Sequence, residues 1–438
     1  MRILLVDAEG LGLSFASRCA SAGHSVRWYE KVKPAEPDDT GIGFGVEKIK
    51  NWLSSVRWAD LIFATGNCDF VARLETFGKR GFPYYGPSVA SADLEIKRGV
   101  GMAFLQKHGI EVPPHQTFKT LGEAERFVWK NERRWVFKTL GDCEDKSLSY
   151  CSKSPADMIA RLRRWQEMKM NPKGPVILQE FIDGIEIGVS RWMGKAGWVS
   201  PPNVNFEYKK LSSGNYGPNT GEMGSVLVYE MGEKLATDVL NPLEKGLVEL
   251  GHLGDIDVNC IVDKNGKAWP LEFTARTGWP AFNVMLEAHK GDPAEWMRDA
   301  IHGKPNLDVS FDVAVGLVIA IPRFPYPNED PKYSHGHPLY GMHRGNAKHL
   351  YPQQVKIEKM PDMDGEKVVE RNLWVSTGEY VAVACALGST VSVAAKRAYK
   401  TVEEVSIADM MVRDDIGEGL RDSLPELHKH GYATSVNY

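Results

Sequence analysis

Over its first 92 residues the chain alternates short apolar runs with amphipathic stretches. Residues 2–7 (Arg-Ile-Leu-Leu-Val-Asp) predict a strand, 10–23 a turn and helix, and 25–30 a second strand. A helix over 47–56, a strand over 60–65, a helix over 71–80 and a short strand over 83–85 follow. That alternation predicts a small parallel sheet with helices on both faces. Its first turn reads Glu9-Gly10-Leu11-Gly12, and Phe15 stands where a dinucleotide fingerprint wants its third glycine. A glycine turn at a helix start can still hold some other anion.

Further on, helices are expected over 92–108, 121–131 and 155–168. Strands are expected over 135–139, 148–151, 176–181 and 185–193. Residues 200–225 are rich in Pro, Asn, Gly and Ser and predict a long loop, and a loop of that length is usually functional or disordered. An amphipathic helix over 233–251 leads into the most telling stretch, 254–282. There Ile256, Val258 and Cys260 alternate with Asp255, Asp257 and Asn259. Asn265-Gly266 signals a hairpin turn, and the return strand, 268–274, puts Trp269, Leu271 and Phe273 on one face and Pro270, Glu272 and Thr274 on the other. Glu272 and Thr274 then share a face with Asp257 or Asn259, a row of hard oxygens suited to Mg²⁺. Without further context, the same pattern describes a hairpin with one solvated face. After residue 303 the expected elements are strands over 312–322 and 380–386 and a helix over 390–398.

Composition narrows the classes. The 438 residues are 43% hydrophobic and 25% charged, with a net charge of −4. That is a globular profile with no basic excess for bulk nucleic-acid binding. The longest apolar stretch, 313–321, is too short to span a bilayer. Six scattered cysteines without a CxxC pair predict free thiols and a cytoplasmic setting.

Several motifs carry a family resemblance over nearly the whole chain. They are Val-Ile-Leu-Gln-Glu-Phe-Ile-Asp-Gly-Ile-Glu-Ile-Gly-Val (176–189), Gly-Pro-Asn-Thr-Gly-Glu-Met-Gly (217–224) and Leu-Glu-Phe-Thr-Ala-Arg-Thr-Gly-Trp-Pro (271–280). At the C-terminus they are Ala386-Leu-Gly-x-Thr-Val391, Arg397-Ala-Tyr399 and Arg413-x-Asp-Ile-Gly417. In order and spacing the chain resembles the glycinamide ribonucleotide synthetases (phosphoribosylamine–glycine ligases) among the ATP-grasp carboxylate–amine ligases. The resemblance implies an α/β and α+β protein in three parts: a parallel-sheet domain over 1–92, an ATP-grasp core of two α+β subdomains over 93–305 and a small α+β domain over 306–438.

It also implies ATP and Mg²⁺ as cofactors. Adenine would lie at Gln179, Glu180, Phe181 and Ile182, and the ribose at Glu186. The phosphates would meet Lys97, or Arg98 in its place, with Lys138 and the glycine loop Asn219-Thr220-Gly221. The metal would be held by Glu272, Thr274 and Asn259. Arg276 and Lys146 take catalytic roles. A carboxylate is phosphorylated to an acyl phosphate, which an amine then attacks. The expected partners are small molecules: glycine or another small amino acid, and an amine, either phosphoribosylamine or an altered nucleotide or sugar amine. The chain is expected to be a monomer or a small homo-oligomer.

The sequence departs from the family where it matters. Asp142, Glu144 and Asp145 surround Lys146 in a loop that is normally glycine-rich. Thr274 replaces an asparagine. Leu13-Ser14-Phe15 and 38–44 replace stretches that lie toward phosphoribosylamine, and Trp279-Pro280-Ala281 replaces Asp-Pro-Glu. A changed amine, a nucleotide-binding scaffold without turnover and a small-molecule kinase therefore stand as alternatives.

Overall fold

In the computed structural model, residues 1–32, 37–139, 149–170, 172, 174–326 and 331–438 are described. Four sheets organise the part that positions the site. The first is five-stranded and parallel, in the order Glu47–Lys48, Ser25–Glu30, Arg2–Asp7, Leu61–Ala64, Tyr84–Tyr85. It matches the expected N-terminal domain except at 47–56. There a two-residue strand and a single 3-10 turn, Trp52–Ser55, replace the helix. Asn51 caps the start of that turn, its extended backbone and side chain, which accepts from the Leu53 amide, taking it out of any helix.

The second sheet has four antiparallel strands, His115–Phe118, Val176–Glu180, Trp135–Thr139 and Tyr150–Cys151. The helices Leu121–Lys130 and Pro155–Glu167 cover it, and Leu121, Trp135, Phe137, Leu162 and Trp165 form a separate apolar core there. Two side-chain caps start these helices: Thr120 accepts from Glu123 N–H and Ser154 from Asp157 N–H.

The third and largest sheet has nine strands, one of which, Gly197–Trp198, pairs with Gly184–Gly194 off the main path. Its path runs Ala268–Thr274, Gly254–Asp263, Gly184–Gly194, Asn203–Glu207, Gly224–Tyr229, Val313–Ala320, Tyr380–Gly388 and Leu350–Pro352, so strands from beyond residue 306 continue the sheet of the middle region. Val313–Ala320 is buried at every position, as a continuous apolar run in mid-sheet requires. A last sheet, His335–Leu339, Lys367–Thr377 and Val355–Asp364, forms an arm. Its Asp364-Gly365 turn is a hairpin signal that the sequence reading passed over.

Three further expectations change. The helix over 92–108 is two, Val89–Ile96 and Arg98–Lys107, broken at Lys97. Gly101 lets them meet, since a Cβ there would run into the Leu94 carbonyl oxygen. Residues 200–225 are not one loop. They contain Asn203–Glu207, and a small hairpin of Lys210–Ser212 with Tyr216–Asn219. The stretch 233–251 is only partly α-helical, because Pro242, lacking an N–H, interrupts the ladder before Glu244–Leu250. The five cysteines among the described residues are free thiols. No helix among those residues is long and apolar enough to cross a membrane.

Candidate functional site

The site begins on the long hairpin. In its register Asp257 faces Thr274 and Asn259 faces Glu272, as the alternation predicts, on the outermost pair of strands of the large sheet. A bulge then shifts the pairing so that Cys260 faces Pro270. Pro270 consequently turns to the buried side, and Trp269 leaves the face it was expected to share with Phe273. Its indole N–H donates to Asp263 at 2.9 Å. The bulge leaves the Glu272–Thr274 row intact.

Neighbouring strands add charge to this face. Asn259 Nδ2 donates to both Glu186 Oε1 and Glu207 Oε2, at 2.9 Å each. Two carboxylates fix that amide's orientation, which leaves its buried Oδ1 without a partner. Lys209 Nζ bridges the same acids, 2.7 Å from Glu186 and 2.8 Å from Glu207. Burial works against the Lys209 charge, but Glu207 and Glu186 outweigh it and hold its pKa well above the usual lysine value.

Opposite stand Lys138 and Arg98. Lys138 lies near the end of Trp135–Thr139. Burial first, then repulsion by Arg98, lowers its pKa to about 8 against the pull of Glu272. Arg98 opens its helix and is 9% exposed. Its Nη2 reaches Glu272 at 3.2 Å, while Nε and Nη1 are buried without hydrogen-bond partners. Buried guanidinium donors without acceptors are costly unless a ligand supplies them.

Beside Glu272 a cavity of about 370 Å³ opens between the N-terminal domain and the hairpin. Glu9, Asn67, Glu95, Arg98, Thr274 and Arg276 give it polar walls. Arg276 is already engaged: Glu95 pairs with it at 3.1 Å and also accepts from Asn67 and from the Ala275 amide. The glycine turn is engaged as well. Its Gly12 amide donates to Asp7, and Glu30 fills the space a Cβ at Gly10 would need, so two acids stand where an anion was expected.

The family model of the phosphoribosylglycinamide synthetase ATP-grasp (A) domain matches residues 100–281. The phosphoribosylamine–glycine ligase of Escherichia coli O6:H1 is 26% identical over 364 residues, 78% of this chain and 79% of that protein. The enzyme of the same name from Salmonella typhimurium is 26% identical over 405 residues, 87% and 89% of the two chains. The crystal structure of phosphoribosylamine–glycine ligase from Thermotoga maritima superposes with a TM-score of 0.72 at 20% identity, covering 95% of this chain and all of that one. Over residues 100–281 the chain is thus similar to ATP-grasp domains of the phosphoribosylglycinamide synthetase type.

The expected residues fall into three groups. Lys138, Glu186, Asn259, Glu272 and Thr274 converge with Arg98 around the hairpin face. Gln179, Glu180, Phe181 and Ile182 form the crossing from the small sheet to the large one. There Gln179 is buried, Glu180 pairs with Arg133 at 3.2 Å, and the Phe181 ring lies 3.4 Å from the Arg134 guanidinium. Asn219, Thr220 and Gly221 sit at the end of the small hairpin, whose base is tied down by Thr220 donating to the Lys209 carbonyl at 2.9 Å. Lys97 is not brought in. It faces solvent, 60% exposed, and pairs with Asp93 at 2.8 Å. Lys146 and its acidic neighbours lie outside the described residues.

Sequence reasoning missed Lys209, Glu207 and Glu95. Their spacing could not have shown them, since the partners that tie them to the site, Glu186 for Lys209, Asn259 for Glu207 and the Ala275 amide for Glu95, lie 23, 52 and 180 positions away.

Proposed function

We propose that this chain is an ATP-dependent, ADP-forming carboxylate–amine ligase that works through an acyl phosphate. The observation that carries the reading is the convergence of Arg98 and Lys138 on Glu272. Two buried donors of Arg98 and the ammonium of Lys138 have no protein anion of their own among the described residues. A polyphosphate supplies that missing charge.

The donor set fits Mg²⁺. Glu272 and Thr274 give a carboxylate and a hydroxyl, and Asn259 Oδ1 is an orphaned carbonyl oxygen in the row of Glu272. Among the described residues no group of three or more His, Cys, Asp or Glu could hold a metal. An incomplete oxygen set of this kind is what a metal shared with phosphate oxygens requires. Bound there, the ion would neutralise charge on the transferred phosphoryl group.

The chain's own residues then divide the work. Lys138 and Arg98 hold the phosphates and stabilise the spreading charge. Glu186, held by Lys209 and Asn259, presents an oxygen for the ribose hydroxyls. The carboxylate substrate attacks the γ-phosphorus, ADP departs, and the amine displaces phosphate from the acyl carbon.

The amine is proposed to differ from phosphoribosylamine. Leu13, Ser14 and Phe15 are buried, and Ser14 donates to Asn283 at 2.5 Å. The segment around Asp39 to Gly43 is committed to the C-terminal arm, through Lys356 at 3.0 Å and contact with Ile357. The polar side chains of both stretches, Ser14, Asp38, Asp39 and Thr40, are all paired within the protein.

Hydroxylamine trapping tests the ligase reading without a guess at the amine. Protein, MgATP and hydroxylamine are mixed with each amino acid in turn. Hydroxamate with equimolar ADP is the expected result. Binding of ATP with no hydroxamate from any amino acid would overturn amino-acid activation.

A further inference from the structure

One row deeper on the same sheet face lies a second polar group that the nucleotide and metal do not use. Asp257 pairs across the hairpin with Thr274 and on its other side with Ser190, which pairs in turn with Asn203. Asn205 reaches over Gly188 and donates Nδ2 to Asp257 Oδ2 at 2.7 Å. Gly188 is needed for that reach, since a Cβ would collide with the Asn205 amide.

Three oxygens of this group have no partner: Asp257 Oδ1, Asn205 Oδ1 and Asn203 Oδ1. Their residues are 6%, 3% and 0% exposed. The carboxylate at Asp257 fixes the Asn205 amide with its nitrogen inward, so that orphan oxygen is not an exchange of N for O. Buried acceptors in native proteins find donors, and here burial first, then Glu207, pushes the Asp257 carboxyl well above the usual range, the state of an acid whose cation is missing. Neither Asp257 nor nearby Glu222 has an ion pair among the described residues. Lys209 is already shared between Glu186 and Glu207.

A water would satisfy an oxygen but not the carboxylates. A divalent metal is less well matched, because Asp257 supplies the one carboxylate among the three free acceptors and two positive charges would be left against it. A primary ammonium matches on both counts, with three N–H donors for three acceptors and one positive charge.

We propose that Asp257, Asn205 and Asn203 form a binding site for a primary ammonium group carried by one of the ligase's substrates. The inference rests on the ligase reading for the source of the ammonium, not for the site itself. The site lies one strand in from Thr274, beside the proposed phosphate chemistry.

Thermal unfolding of the full chain in methylammonium, tetramethylammonium and potassium chloride at equal ionic strength tests the site directly. Tetramethylammonium carries the same charge without donors. Methylammonium is expected to raise Tm by about 2 °C over tetramethylammonium. Asp257→Asn is expected to abolish that difference, and Glu222→Gln serves if the first variant does not fold. Equal shifts for the two organic cations would overturn the proposal, as would a potassium shift exceeding that of methylammonium, or a full methylammonium shift in the variants. These readings need no turnover, so a failed hydroxamate assay leaves them intact. Where hydroxamate forms, comparing glycine with acetate names the source. A KM for glycine raised about 30-fold in Asp257→Asn, with acetate unchanged, assigns the ammonium to the activated acid. Equal effects on both assign it to the second substrate.

Discussion

Two lysines face each other across the candidate site and are held in opposite electrostatic states. Lys209 sits between Glu186 and Glu207, and its charge is secured whatever binds. Lys138 has no hydrogen bond or ion pair among the described residues, and burial and Arg98 push its pKa down to about 8. A lysine already neutralised by protein carboxylates organises the protein. A lysine that lacks its anion is prepared for one that arrives. The first holds Glu186 in place; the second is the proposed partner of phosphate.

The sharpest way to break that contrast is to remove each ammonium while keeping its stem. Lys138→Met is expected to lower kcat by about 100- to 1,000-fold in the hydroxamate assay, because it deletes a charge aimed at the transferred group. Lys209→Met is expected to raise KM for ATP about tenfold with a smaller effect on kcat, because it frees Glu186 rather than touching the phosphates. Equal losses in kcat for the two variants would dissolve the distinction.

The same contrast predicts a proton. When a polyphosphate reaches Lys138, its pKa rises toward the ordinary lysine value, so the protein takes up a proton wherever the free ammonium is partly titrated. Calorimetry of ATP binding in buffers of different ionisation enthalpy is expected to show uptake of about half a proton near pH 8 and almost none near pH 6. Lys138→Met removes the uptake, and Lys209→Met leaves it. The sign for folding runs the other way. A lysine whose folded pKa lies below its unfolded value opposes folding while charged, so the nucleotide-free protein gains stability as pH rises from about 8 toward 10.5.

Much of this geometry was legible before the structure, and the exceptions have physical causes. The period-2 alternation on either side of Asn265-Gly266 foretold that Glu272, Thr274, Asp257 and Asn259 share one face. It could not foretell the bulge after Asn259, because a single extra residue changes the faces of Trp269 and Pro270 without altering composition. The N-terminal sheet was readable because its strands are short apolar runs punctuated by turns. The clamp of Lys209 on Glu186 was not, because it depends on which strand lies beside which in the large sheet. The stretch 200–225 misled for a related reason. Its glycines and prolines read as a loop, yet Asn203–Glu207 finds partners on both sides and becomes a mid-sheet strand.

The smallest expected effect falls on Lys97, next to Arg98, where local sequence was least able to decide. Helical periodicity over 92–108 makes them neighbours on one helix, about 100° apart, and does not say which faces the site. The break at Lys97 decides it. The first helix ends there with Lys97 beside Asp93, and the second begins with Arg98 directed at Glu272. An exposed pair four residues apart is worth only about 0.3–0.5 kcal/mol, so Lys97→Met is expected to leave KM for ATP and kcat within about twofold of the parent, and Tm within about 1 °C. Arg98→Met, one position on, removes two buried donors that await an acceptor and is expected to raise KM for ATP about 30-fold. Arg98→Lys keeps the charge but loses the forked donors and falls between. A large loss for Lys97→Met with little for Arg98→Met would mean that the helix break re-forms when nucleotide binds, turning the lysine inward.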